Sequence, residues 1–206
     1  MNVSKKLLPK QVDKRRKILE AARNIFGQKG YESTSMLEIA QSANVATGTI
    51  YEYFENKEEL FFHVAAERYH IFERELNIEL SGLKCSFDKI RKYIWFYLYY
   101  FQKDPIYAEL WLLNIRVNKN FFESRASSWI KESGKVIVDI LKAGQEEGMI
   151  REDVNLYVIR HMILGSLEHI VSHWIIKGKT YDLLSYSNSI SDLIIEAIKK
   201  QNSPLP

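Results

Sequence analysis

TSMLEIAQSANVATGTIYEYFENK, residues 34–57, decides how the rest of the chain is read. Two short helices joined by a tight turn are expected. Thr34 or Ser33 can cap the first, since hydroxyls accept from the free amides of a first helical turn. Its inward face is Met36 or Leu37 with Ile39, Ala40 and Ala43. Asn44 falls where a left-handed residue is needed, which Asn tolerates better than most. Val45 packs inward, residues 46–53 form the second helix, and Ile50 and Phe54 point to the core. Asn56 caps a long helix from Lys57 through about Leu80. The outer side of the second helix then carries Thr47, Gly48, Thr49, Tyr51 and Tyr53. A hairpin buried in a larger bundle would want apolar residues at 47, 49 and 53, where this chain has Thr, Thr and Tyr. The pattern suits a second helix laid in the major groove of DNA.

Upstream, residues 1–30 hold nine basic side chains against two acidic ones. A basic arm over 1–12 leading into a helix suits phosphate contacts, which supply sequence-independent affinity. Ile18, Ala22, Ile25 and Phe26 make an apolar stripe at helical spacing, stopped by Gly30. Downstream, helical periodicity runs almost to the end. One helix over 86–102 is loaded with aromatics, and Asp104-Pro105 starts the next with proline in its first turn. A longer one over roughly 121–147 ends at Gly148. Asp153 caps another that runs to about Lys177, and the last spans roughly 181–200. The expected fold is all-α, about nine helices and no sheet. A three-helix helix-turn-helix domain over 13–60 precedes a larger helical domain over 61–202.

Composition narrows the class. With 206 residues, 46% hydrophobic and 13% aromatic, the chain can bury a real core and is not disordered. No apolar run approaches the roughly 18 residues of a membrane span, so no membrane partner is expected. The opening ten residues lack the apolar core and cleavage site of a signal peptide. The single cysteine, Cys85, excludes an internal disulfide and fits a reducing interior, so a cytoplasmic location is expected. No Ser or Cys sits in a strained turn beside a base, and Gly134 and Gly144 are isolated rather than part of a phosphate loop. Neither an enzyme nor a cofactor is therefore expected. His169 and His173 lie at i, i+4, a spacing that can share zinc. The order is not His-Glu-x-x-His and no cysteine is near, so no metal is assigned, a helical metal-binding protein being the least favoured alternative.

Residues 14–63 resemble the N-terminal domain of the TetR family of bacterial transcriptional regulators. The matching positions run from Ile18 through Phe26, Gly30 and Tyr31, then Ile39, Ala40, Val45, Gly48, Thr49, Ile50, Tyr51, Tyr53, Phe54, Lys57, Glu58 and Leu60. The resemblance implies a repressor that binds a palindromic DNA operator as a homodimer. Carried over residue by residue, Thr47, Gly48, Thr49, Tyr51 and Tyr53 meet DNA from the second helix. Tyr51 and Lys57 contact phosphate, as does Ser35 or the capping Thr34. The family often has His where this chain has Tyr53.

For the remaining two-thirds the resemblance implies a ligand-binding and dimerisation domain. Tyr93, Phe96, Tyr97, Tyr100, Trp111, Ile115 and Arg116 are candidate pocket residues, with Met162, Ser166 and His169 from a later helix. Ligand sites are mostly apolar with a few placed polar groups, and a buried arginine would hold an anion. Aromatics at helical spacing fit a plain core equally well. Gly165 admits close approach by another helix, and with His173, Ile190, Leu193, Ile194 and Ala197 it suggests a dimer seam. Residues 150–183 are similar to TetR-type repressors of fatty-acid degradation released by long-chain acyl-CoA. Hydrophobic drugs or aromatic compounds, with control of efflux, are the alternative effector class. Ligand is expected to favour the conformation that does not bind DNA, shifting the helix that starts at Lys57.

Overall fold

The computed structural model describes residues 9–124, 126–127 and 135–201, with side chains from Gln11 onward. Part of the basic arm, including Lys5 and Lys6, lies outside the described residues, as does Gly134. α1, Pro9–Lys29, turns Ile18, Leu19, Ala22 and Phe26 into the core. Gly30 closes it at φ 77°, and its amide donates to the Phe26 carbonyl at 2.8 Å, a left-handed stop that costs glycine no Cβ clash.

α2, Met36–Ser42, is capped by Ser35 rather than by Thr34 or Ser33. Ser35 Oγ accepts from the Glu38 amide at 3.2 Å while Glu38 Oε2 accepts from the Ser35 amide at 2.9 Å, a reciprocal capping box. Met36 is buried and Leu37 exposed. Asn44 takes the left-handed turn at φ 53°, and the Val45 amide reaches back to the Ala40 carbonyl at 3.0 Å. α3 is Thr47–Tyr51, shorter than the 46–53 expected. Ala46 has no side chain to cap it, and the Tyr53 and Phe54 amides both fold back on the Ile50 carbonyl. α4, Lys57–Leu80, starts at Asn56, whose Oδ1 accepts from the Glu59 amide at 2.8 Å. Ile18, Ile39, Ile50 and Leu60 are fully buried, each contributing about 1.5–3 kcal/mol of transfer free energy.

α5, Ser86–Lys103, is the central helix of the second half. α6, Pro105–Glu109, is capped by Asp104, whose carboxylate accepts from the Tyr107 amide at 3.1 Å. It runs into a π-helical turn, Leu110–Ile115, where the Arg116 amide donates to the Trp111 carbonyl at 2.9 Å. α7, Lys119–Glu123, stops at Ser124, where the backbone turns extended, and the next helix whose bounds lie among the described residues, α8, is Val136–Glu146. The single helix expected over 121–147 is thus interrupted, and 125 and 128–134 lie outside the described residues. α9, Leu156–Ile176, is capped by Asn155 and not by Asp153: Asn155 Oδ1 accepts from the Tyr157 amide at 3.0 Å. α10, Ser187–Ile198, follows a 3-10 turn at Leu183–Tyr186, so it begins later than the 181 expected.

Among the described residues the sole β pairing is an isolated bridge, Ile150 with Lys199. α4, α6, α8, α9 and α10 all pack on α5, and α1 packs on α2, α4 and α6. Gly27 allows the last of these contacts, since a Cβ there would stand 2.3 Å from Ile106 Cγ2. No helix among the described residues is long and apolar enough to cross a membrane.

Candidate functional site: an open helix face and an aromatic cavity

The α2–α3 pair presents its hydroxyls as an open face. Gly48 and Tyr51 are exposed, and Thr47, Thr49 and Tyr53 are half-exposed. A Cβ on Gly48 would meet nothing within 4 Å, so a partner's backbone can come close here. Behind them Ile50 and Phe54 are buried, as their spacing predicts. Thr34 has to be removed from this set. It is 3% exposed, and its hydroxyl donates to the Gly30 carbonyl at 2.7 Å, so it braces the α1–α2 loop from within. Ser35 is exposed, with its hydroxyl already engaged in the capping box.

Lys57 is also committed. Its Nζ donates to the carbonyls of Tyr31 at 2.9 Å and Thr34 at 3.0 Å, and it stands 4.4 Å from the centre of the Tyr31 ring. The ammonium therefore ties the start of α4 to the α1–α2 loop, and a phosphate would have to share it. Glu38, half-exposed at the first turn of α2, has its carboxyl pulled down to about 2 by Lys29 and by the Ser35 hydrogen bonds.

A second feature lies between α4, α5, the α6 turn and α9. It is a cavity of about 280 Å³, at the small end of ligand pockets, which run from about 300 to 1,000 Å³. Tyr93, Tyr97, Trp111 and Arg116 line it, four of the ten residues expected at a pocket. Phe96, Tyr100 and Ile115 are buried in the surrounding core instead, and the Tyr100 hydroxyl donates to the Arg68 carbonyl at 3.1 Å. Met162, Ser166 and His169 project from the other side of α9: Met162 and His169 are exposed, and Ser166 Oγ donates to the Met162 carbonyl.

The cavity-lining residues of α9 are Arg160, Leu164 and Glu168, beside its buried stripe of Ile159, Ile163, Leu167 and Val171. Two charges at i, i+8 in an otherwise apolar helix were the signal for the lining. Arg116 Nη2 pairs with Glu168 Oε2 at 2.5 Å. Burial raises the Glu168 carboxyl above its ordinary value, against the pull of Arg116 and Arg160. Tyr69 and Phe72 from α4, with Phe101, Tyr107 and Phe121, complete the apolar walls. The last aromatics are invisible to periodicity, because a core and a cavity use the same residues until neighbouring helices are placed.

Of the expected seam residues, Gly165, His173, Leu193 and Ala197 are exposed and Ile190 is half-exposed. Ile194 is buried and belongs to the core. A Cβ on Gly165 would meet nothing within 4 Å, so its openness serves no contact among the described residues. His169 and His173 stack with ring centroids 6.4 Å apart on the same outer side.

A short exposed helix, carried on a domain that packs directly against the wall of an aromatic cavity, is the arrangement of a DNA-binding transcriptional regulator. Residues 18–64 match the model for bacterial regulatory proteins of the tetR family, and residues 66–197 match that for the C-terminal region of YsiA-like proteins. The chain belongs to the tetR family. The fatty acid metabolism regulator protein of Bacillus subtilis (strain 168) is 26% identical over 181 residues, 88% of this chain and 93% of its own. The transcriptional regulator FadR from Bacillus subtilis, solved in complex with stearoyl-CoA, is 27% identical at a TM-score of 0.82, with 89% of this chain and 98% of that one covered. The fatty acid degradation regulator FadR from Bacillus halodurans is 25% identical at a TM-score of 0.81, with 93% and 97% covered. These relatives are transcriptional regulators, not enzymes.

Proposed function

We propose that the protein is a cytoplasmic homodimeric repressor that releases a palindromic operator when a long-chain acyl-CoA fills the cavity. The observation that carries this is the cavity itself: aromatic walls for an acyl chain, with Arg116 and Arg160 at one side for an anionic headgroup. The likeness to a regulator solved with stearoyl-CoA supports it. Regulation of fatty-acid metabolism follows from that ligand class.

The ligand acts, on this reading, by displacing a wall of the cavity. The α6 wall, Tyr107, Trp111 and Arg116, is fastened to the DNA-binding domain, as is the α4 wall of Tyr69 and Phe72. Asp104 at the head of α6 pairs with Arg23 of α1 and with Arg68 of α4. Ile106 rests on Gly27 of α1. Acyl-CoA that binds the displaced wall more tightly than the native one shifts the reading heads, and only this difference in affinity can move the equilibrium. Movement thus enters through α6 and α1 as well as along α4.

The test begins with duplexes selected from a random pool by the purified protein, and then titrates stearoyl-CoA against the recovered sequence. A palindrome should be recovered, and saturating stearoyl-CoA should weaken its binding about 5- to 150-fold, while coenzyme A alone leaves it unchanged. Recovery of no palindrome, or an operator affinity indifferent to stearoyl-CoA, refutes the proposal.

A further inference from the structure

Tyr97 is buried on the cavity wall at 5% exposure, and its hydroxyl has no hydrogen-bond partner. A buried hydroxyl left unpaired forfeits its hydration without compensation, and native proteins rarely keep such a group without a use for it. The ring is fixed by Phe72 and Phe101, with centroids at 6.0 and 4.7 Å, so the hydroxyl is held in place. Burial first, then the charge of Glu168, pushes the phenol well above its ordinary value, and it remains an O–H donor. Arg116 and Arg160 line the same cavity, and Arg116 is paired with Glu168. What this corner lacks is an uncharged oxygen acceptor.

We propose that Tyr97 is a specificity-determining residue that donates its hydroxyl to the thioester carbonyl oxygen of the acyl-CoA. This rests on the acyl-CoA reading above. The contact fixes where the thioester stops in the cavity, leaving the chain to Phe72, Phe101, Tyr107 and Trp111. It also separates an acyl-CoA from an equally greasy molecule that lacks the carbonyl.

The experiment compares wild type with Tyr97→Phe, using stearoyl-CoA and its thioether analogue S-octadecyl-CoA, which has no carbonyl, by titration calorimetry. Wild type should bind the thioester about three- to tenfold tighter than the thioether, the worth of one net hydrogen bond. Tyr97→Phe should bind the two equally, at the thioether level. Without ligand the variant should unfold at the same temperature as wild type or higher, because a lost orphan hydroxyl removes a penalty. A wild type that binds both ligands equally, or a variant that keeps the preference, overturns the assignment while leaving the acyl-CoA reading intact. A ligand-free variant that unfolds earlier than wild type overturns it too, since the hydroxyl would then have had a partner. Wild type that binds neither ligand removes the acyl-CoA reading and this inference with it.

Discussion

His63 of α4 stands where the reading domain is closed, with Nδ1 3.1 Å from an Arg15 guanidinium nitrogen of α1. That geometry requires the neutral ring, with Nδ1 as acceptor. Burial, and then the Arg15 charge, hold the imidazole below its ordinary value, with Glu59 opposing. Glu67 of α4 also acts on Arg15. A histidine whose folded-state value is depressed contributes stability that is complete above its unfolded value, about 6.5. The contribution is lost as pH falls through the folded value. Denaturant unfolding at pH 7.5 and pH 5.5 should show wild type losing stability at the lower pH. His63→Gln, which keeps an acceptor for Arg15, should flatten that loss. An unchanged pH dependence in the variant would show that the proton goes elsewhere.

At the scale of elements, the loop between α5 and α6 does the joining. Asp104 is 7% exposed, caps α6 and draws in Arg23 and Arg68, whose Nε atoms lack partners. Asp104→Asn keeps an acceptor for the helix cap and removes the charge that holds two partly buried guanidiniums. Its cost is on the order of 3 kcal/mol, the low end for a broken buried pair, because both arginines still reach water. The melting temperature should drop, and the ratio of operator affinities with and without stearoyl-CoA should shrink toward one. A lower melting temperature with an unchanged ratio would reduce Asp104 to a purely structural role.

Helix starts were legible wherever one side chain decides them, as at Asn56 and at Asp104-Pro105. The start of α9 was not, because Asp153 and Asn155 are equally able to cap. Asp153 lies within a turn in which the Val154 amide donates to the Arg151 carbonyl at 3.4 Å, and the extended backbone that a cap needs comes at Asn155. Phe96 and Tyr97 are a like case. One is core and the other lines a cavity, and only the placement of α9 distinguishes them.

For the whole molecule, the outer sides of α9 and α10 leave Met162, Ile176 and Leu193 in water, Leu193 at 73% exposure. We read this as the surface that meets a second copy, as a two-fold operator requires. Light scattering at micromolar concentration should return twice the 24.2 kDa chain mass. Met162→Glu combined with Leu193→Glu should return a monomer with undiminished helicity and weakened operator binding. A monomeric wild type, or a dimer indifferent to both charges, would place the seam elsewhere or remove it.

The Gly27–Ile106 contact has a mechanical meaning. Where two helices meet through flexible side chains, a small displacement of one is absorbed by rotamer changes before the other feels it. Here the backbone of α1 lies directly against a β-branched side chain of α6, and room for even a methyl group is missing. The junction has no backlash. A shift of α6 by a fraction of an ångström has no lost motion in which to disappear, so the sensitivity of the proposed switch is set by how little play one glycine leaves.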